Sequence, residues 1–272
     1  MTIGKVLIVG VACLGLTGVA KAADIFDAPL ESAPLVPVEV GSGWYLRGDV
    51  SYDFKSDVDV KFDRSYVDTN GVDFSDHGSV GGISLKDNAD FGIGFGYQFT
   101  DMLRGDLTAH YWESKLKLSG AEFGDTACLS FPAGFDCSSE NSEAKTWELM
   151  ANAYLDLGTF AGFTPYVGGG VGAARVKYTN FSALGNCFDA NLCNADASVE
   201  FDGANDWRFA YALTGGISYD IAQNLKLDVG YRYVNVDGGD VAQTPLNGGT
   251  MSFKDDGFDR HTIQAGLRYS LF

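Results

Sequence analysis

The sequence predicts an eight-stranded antiparallel transmembrane β-barrel, with short turns at one end and long loops at the other. Three observations carry this expectation. Segments of eleven to sixteen residues alternate apolar with polar side chains at every second position, the period of a strand with unlike faces. Short and long connectors then alternate strictly along the chain. Finally, the apolar faces are rich in aromatics near their ends, while the opposite faces carry enough Arg, Asp and Glu to fill a lumen. Alternation alone would also suit a soluble barrel. The export signal described next, the connector asymmetry and the terminal aromatics favour lipid on the apolar side.

The chain opens with a lysine at position 5 and an almost wholly apolar run, Val6–Ala20, before Ala20-Lys21-Ala22. That is the layout of a secretory signal peptide cleaved after Ala22, and the run falls short of the roughly 20 residues of a spanning helix. Residues 23–42 hold Pro29, Pro34 and Pro37 among small and acidic residues and read as a periplasmic tether. Residues 43–272 are left for the barrel.

The predicted strands run Gly43–Phe54, Ala89–Phe99, Leu103–Ser114, Ala144–Asp156, Phe163–Tyr178, Trp207–Ile221, Leu225–Val236 and Phe258–Phe272. In the first, Trp44, Leu46, Val50 and Tyr52 oppose Arg47, Asp49 and Asp53. In the second, Phe91, Ile93, Phe95, Tyr97 and Phe99 oppose Asp90, three glycines and Gln98. The later strands repeat the contrast, as in Trp147 and Leu149 against Glu148, or Val229 and Tyr231 against Asp228 and Arg232. On the polar faces stand Arg47, Asp49, Asp53, Asp90, Arg104, Asp106, Glu148, Asp156, Arg208, Lys226, Asp228, Arg232 and Arg268. Charges of both signs at that density are expected to pair in an interior network, since buried charge requires partners. Trp44, Tyr45, Phe54, Phe99, Tyr111, Trp207 and Tyr233 are placed at the two membrane interfaces.

Thr100–Met102, Leu157–Gly162 and Ala222–Asn224 are the short connectors; Lys55–Asn88, Lys115–Glu143, Thr179–Asp206 and Asp237–Gly257 are the long ones. The long connectors are expected to be structureless extracellular loops, and carboxylates outnumber basic groups in each. The whole chain carries a formal charge of −17, which argues against nucleic acid as a partner. Beyond the leader the cysteines are Cys128, Cys137, Cys187 and Cys193, an even number that in an exported protein points to disulfides. Cys128 with Cys137 and Cys187 with Cys193 are the local pairs, and neither has the spacing of a metal site. The glycine runs Gly92-x-Gly94-x-Gly96 and Gly168–Gly170 lie within strands, so they make room on a crowded wall instead of opening a nucleotide-binding helix.

The ending "GLRYSLF", the opening "GWYLRGDVSYDF", "TPYVGGGVG" and "SYDIAQNLKLDVGYRY" resemble the outer-membrane β-barrel surface proteins of alphaproteobacteria, a family similar to the membrane domain of OmpA-type proteins. The resemblance covers the whole chain after the leader. It implies an outer-membrane location, recognition of the terminal Phe272 by the barrel-assembly machinery, and roles in envelope integrity and as a surface antigen. A non-enzymatic structural barrel without cofactor or metal is therefore expected, in contact with outer-membrane lipid and lipopolysaccharide and offering its acidic loops to a host surface ligand. A small porin or narrow channel is the alternative. A lipid A-modifying hydrolase comes third, with His110 and Ser114 on one strand face as the nearest local pair.

Overall fold

The computed structural model describes residues 43–54, 56–67, 70–85, 88–119, 135–140, 143–179, 181–187, 197–246 and 248–271. The expected signal peptide and tether, Cys128, Cys193 and Phe272 lie outside these residues. The strands are β1 Gly43–Asp53, β2 Ser56–Val67, β3 Asp73–Leu85, β4 Asn88–Gln98, β5 Leu103–Ser119, β6 Phe135–Glu140 and β7 Glu143–Asp156. They continue as β8 Phe163–Thr179, β9 Phe181–Cys187, β10 Ala197–Gly203, β11 Asn205–Ala222, β12 Leu225–Leu246 and β13 Gly249–Ser270.

Eight of these strands close into an antiparallel ring. Its order is β1-β4-β5-β7-β8-β11-β12-β13, and β13 returns to β1 from Tyr45↔Ser270 to Asp53↔Thr262. Closure gives every strand of the ring two partners and removes the open edge. At one end the strands are joined by tight turns. The Thr100 hydroxyl accepts from the Met102 and Leu103 amides at 3.2 and 3.0 Å, fixing the first of them. The second turn needs left-handed backbone, with Gly158 at φ 99°, Ala161 at 51° and Gly162 at 85°.

The other end corrects the expectation of structureless loops. Lys55–Asn88 contains the β2–β3 hairpin, which joins the ring through β2–β13 and β3–β5 pairing. Strand β9 pairs with β6 and β10, and β12 and β13 run on together for 22 residues each. The physical reason is alternation inside segments whose outer face is charged. In β2 Val58, Val60 and Phe62 are buried, while Asp57, Asp59, Lys61 and Asp63 between them are exposed. These residues, with Trp112, Val176, Val234, Val236, Met251, Phe253 and Phe258, form an apolar core beyond the polar part of the ring.

Within the ring the usual sense of burial is inverted. Ile93 is 71% exposed and Leu107 65%, whereas Glu148 and Arg104 are 0% exposed. An apolar exterior around a charged interior suits a surrounding solvent of lipid, not water. Trp44, Phe54, Phe99 and Trp207 are exposed as expected. Tyr45 is not: it is 2% exposed, because strand alternation groups it with Arg47 and Asp49, and its hydroxyl donates to Asp106 Oδ2 at 3.1 Å.

Gly92, Gly94, Gly96, Gly168 and Gly170 face inward, each beneath a large side chain. A Cβ at Gly92 would strike the His110 ring, at Gly94 the Arg47 stem, at Gly96 the Tyr45 ring, at Gly168 the Tyr154 ring and at Gly170 the Asn152 amide. Gly96→Ala should therefore push Tyr45 off Asp106 and cost about 1–3 kcal/mol in equilibrium unfolding. An unchanged unfolding midpoint would show that the ring has room to yield.

Candidate functional site: the lumen of the ring

The lumen is built in tiers from inward-facing side chains of all eight ring strands. Nearest the short turns, Arg104 Nε donates to Asp156 Oδ1 at 3.1 Å, and its guanidinium lies 4.1 and 4.9 Å from the ring centres of Tyr154 and Tyr166. Among the described residues its Nη atoms have no hydrogen-bond partner, so those two aromatic faces are what covers the charge. Beside it Arg268 holds Asp228 through Nε at 3.2 Å and Nη2 at 3.1 Å, and Ser218 also bonds Asp228.

The next tier centres on Arg47, which grips Asp49 with two parallel bonds of 2.9 and 2.8 Å. Its Nη1 reaches Asp106 at 2.9 Å and the Tyr154 hydroxyl at 3.0 Å. Asp106 also accepts from Asn152 at 2.9 Å, so β1, β5 and β7 are tied together across the lumen. Such forked, charge-assisted bonds fix geometry as well as charge.

Above this, Arg260 gathers three carboxylates from three other strands. It donates to Asp90 Oδ2 at 3.0 Å, to Glu148 Oε2 at 3.4 Å and, in a short contact, to Asp53. Arg232 makes a further short contact to Glu148, Thr262 donates to Asp53 at 2.7 Å, and Arg260 lies 4.2 Å from the Trp112 ring centre. Higher still, Arg208 bonds both oxygens of Asp255 at 2.9 and 2.7 Å, and Tyr178 adds a third bond at 3.2 Å. This pair sits among the apolar side chains of the core beyond the polar part of the ring. Among the described residues six buried arginines face eight buried carboxylates across the lumen, so the interior comes close to neutralising itself.

Twelve of the thirteen residues placed on the polar faces by the sequence are buried here. Lys226 departs from that expectation. It is the second residue of β12, beside the turn, and pairs with Asp220 at 2.6 Å with its side chain 32% exposed. Arg260, Asp255, Tyr166 and Tyr178 were not anticipated. Arg260 shares even parity with Arg268 on the predicted last strand, so the periodicity held its signal. Asp255 was hidden because Gly257, at φ 94°, shifts the inward parity between Asp255 and Phe258.

The other candidates are not assembled into sites. His110 Nδ1 pairs with Asp90 Oδ1 at 3.0 Å, while the Ser114 hydroxyl faces the Lys115 carbonyl at 3.4 Å. Both side chains point into the interior, away from any lipid substrate. Cys137 and Cys187 lie on the paired strands β6 and β9, where their register partners are Gly185 and Phe135. Among the described residues no cluster of metal-binding side chains occurs.

A closed ring with an apolar exterior, a salt-bridged interior and fully paired strands is the construction of a barrel that spans a membrane through its strands. The chain belongs to the outer membrane protein β-barrel domain family, whose model matches residues 10–270, and its place is the bacterial outer membrane. It is 39% identical over 275 residues to an uncharacterised protein of Brucella abortus (strain 2308), covering 92% of each chain. A Rickettsia bellii (strain OSU 85-389) protein named as a candidate adhesin is 30% identical over 197 residues, covering 70% of this chain and 79% of its own. Among solved structures, the outer membrane protein OprG from Pseudomonas aeruginosa is similar at TM-score 0.46 and 15% identity, covering 85% of this chain and 97% of that one.

Proposed function

We propose that this protein is an eight-stranded transmembrane barrel that seals its own lumen, a non-enzymatic structural component of the outer membrane. Residues 1–22 serve as signal peptide, residues 23–42 as periplasmic tether and residues 43–272 as the barrel, with Phe272 offered to the barrel-assembly machinery. The short turns face the periplasm. The extended strands, with their charged outer faces, rise outside the cell as the surface-exposed antigen, held in part by disulfides among Cys128, Cys137, Cys187 and Cys193. The candidate-adhesin naming of the Rickettsia relative supports a host surface ligand for that end.

The observation that carries this reading is the filled lumen. Salt-bridged tiers cross it from Arg104 to Arg260, and among the described residues an apolar core lies beyond them toward the outer end. Eight strands enclose a space that side chains can fill, and here long charged ones do so. An ion crossing it would have to break buried pairs and then pass Phe62, Met251 and Phe253. The inward orientation of His110 and Ser114 likewise favours a structural role over lipid hydrolysis.

Purified, refolded protein in planar bilayers is expected to give no stable unitary conductance steps. Steady single-channel openings by heat-modifiable, folded protein would overturn the sealed-barrel reading in favour of a narrow channel.

A further inference from the structure

The outer wall of the ring is not uniform at the height where the membrane would end. Just beyond the aromatic pair Tyr111 and Trp147, whose ring centres are 4.9 Å apart, three adjacent strands turn basic side chains outward. These are Lys115 on β5, Lys145 on β7, and Arg175 and Lys177 on β8. The register sets Lys145 directly opposite Lys177, and Arg175 opposite Trp147. Like charges facing each other across a strand pair are destabilising unless something neutralises them.

Among the described residues only part of that neutralisation is supplied. Lys145 Nζ lies 3.2 Å from Glu113 and 3.6 Å from Glu143, and Arg175 Nε bonds Asn205 Oδ1 at 2.9 Å. Lys115 and Lys177 are exposed, with no salt bridge to either among the described residues. Among the described residues four cations thus meet two carboxylates, in a chain whose formal charge is −17. At the same height on the opposite wall, β12 and β13 present Asp237 and Asp259.

Below the basic patch and its aromatic pair, β5, β7 and β8 together with β4 and β1 line an apolar groove of about 810 Å³, with Ala109 and Ala151 among its lining and Ile93, Leu107, Leu149 and Val171 around them. Anionic groups above and acyl chains below, in that order along the wall, are the two halves of a phosphorylated glycolipid lying in the outer leaflet.

We infer that the outer wall of β5, β7 and β8 is a binding surface for a bis-phosphorylated, multiply acylated glycolipid of the lipid A type. Its phosphates lie on Lys115, Lys145, Arg175 and Lys177, and one or more acyl chains fill the groove beneath. The inference rests on the barrel reading, with this end outside the cell.

The test uses refolded full-length protein and measures binding by native mass spectrometry. The probes are bis-phosphorylated lipid A, phosphate-free lipid A and phosphatidylglycerol. The triple variant Lys145→Gln/Arg175→Gln/Lys177→Gln should weaken bis-phosphorylated lipid A by about one to two orders of magnitude, following the roughly 1 kcal/mol contributed by each basic residue near an anionic surface. The charge-preserving variant Lys145→Arg/Arg175→Lys/Lys177→Arg should keep most of the binding. Phosphate-free lipid A should bind wild type and triple variant alike.

Equal retention of bis-phosphorylated lipid A by wild type and triple variant would sink the proposal. So would an equal loss of phosphatidylglycerol, which would make the patch a general anionic-lipid surface. Thiol labelling of Ser75→Cys on intact cells checks the orientation separately. Label reaching it only from the periplasm would overturn the barrel's assigned direction without altering the binding comparison.

Discussion

Arg260→Leu should lower the unfolding free energy of the refolded protein by about 3–5 kcal/mol. Arg260 stands on β13 and holds Asp53 on β1, Asp90 on β4 and Glu148 on β7, so one guanidinium joins four of the ring's strands. Two of them, β13 and β1, form the seam at which the first and last ring strands meet. Leucine keeps much of the stem's bulk but leaves three carboxylates in a site from which water is excluded. Among the described residues only Glu148 retains an ion pair to another arginine, Arg232. The cost comes from stranded charge more than from a lost contact, since removing one partner of a buried pair costs far more than replacing the whole group.

Two companion variants separate these causes. Arg260→Lys keeps the charge but loses the planar fork, and should fall between wild type and leucine. Adding Asp53→Asn and Asp90→Asn to Arg260→Leu should recover part of the loss by removing two of the stranded charges. The measurement is urea unfolding in lipid vesicles, followed by tryptophan fluorescence and by the gel mobility of the folded form. A midpoint for Arg260→Leu equal to wild type would mean that the tier carries no net stability.

How much of this was legible in the sequence follows from what period-two patterning can carry. It placed Arg47, Asp49, Glu148 and Arg232 inside because their neighbours on each strand are strongly apolar. It did not foresee that Arg260 would collect three carboxylates, because cross-strand partners depend on ring order and register, which no single strand contains. The outer hairpin was missed for another reason. Asp57, Asp59, Lys61 and Asp63 make β2 look like a solvated loop, although Val58, Val60 and Phe62 between them are fully alternating. A strand whose exposed face meets water is compositionally close to a loop, whereas one whose exposed face meets lipid is unmistakable. The clustering of basic side chains on β5, β7 and β8 was hidden for the same reason as Arg260's partners. Lys145 and Lys177 are far apart in the chain and become neighbours only through the β7–β8 register.

Ile93→Arg should destabilise the barrel by about 2–4 kcal/mol in lipid vesicles, whereas Leu103→Arg should cost only about 0–1 kcal/mol. Both residues point outward and both are exposed, Ile93 at 71% and Leu103 at 44%, so packing against the protein cannot explain a difference of that size. What separates them is height. Ile93 is the central residue of β4, with Gly48 and Ala109 as its register partners, while Leu103 opens β5 beside the Thr100 turn. An arginine at Ile93 must bring its charge into hydrocarbon or bend the bilayer to reach water, but at Leu103 it extends into the interface. In a soluble barrel with water outside, both substitutions would fall within about 0.5 kcal/mol of neutral. The contrast between the two sites thus reports the solvent around the ring directly. Equal and small effects would remove the membrane from around β4 and β5, even with every strand pairing intact.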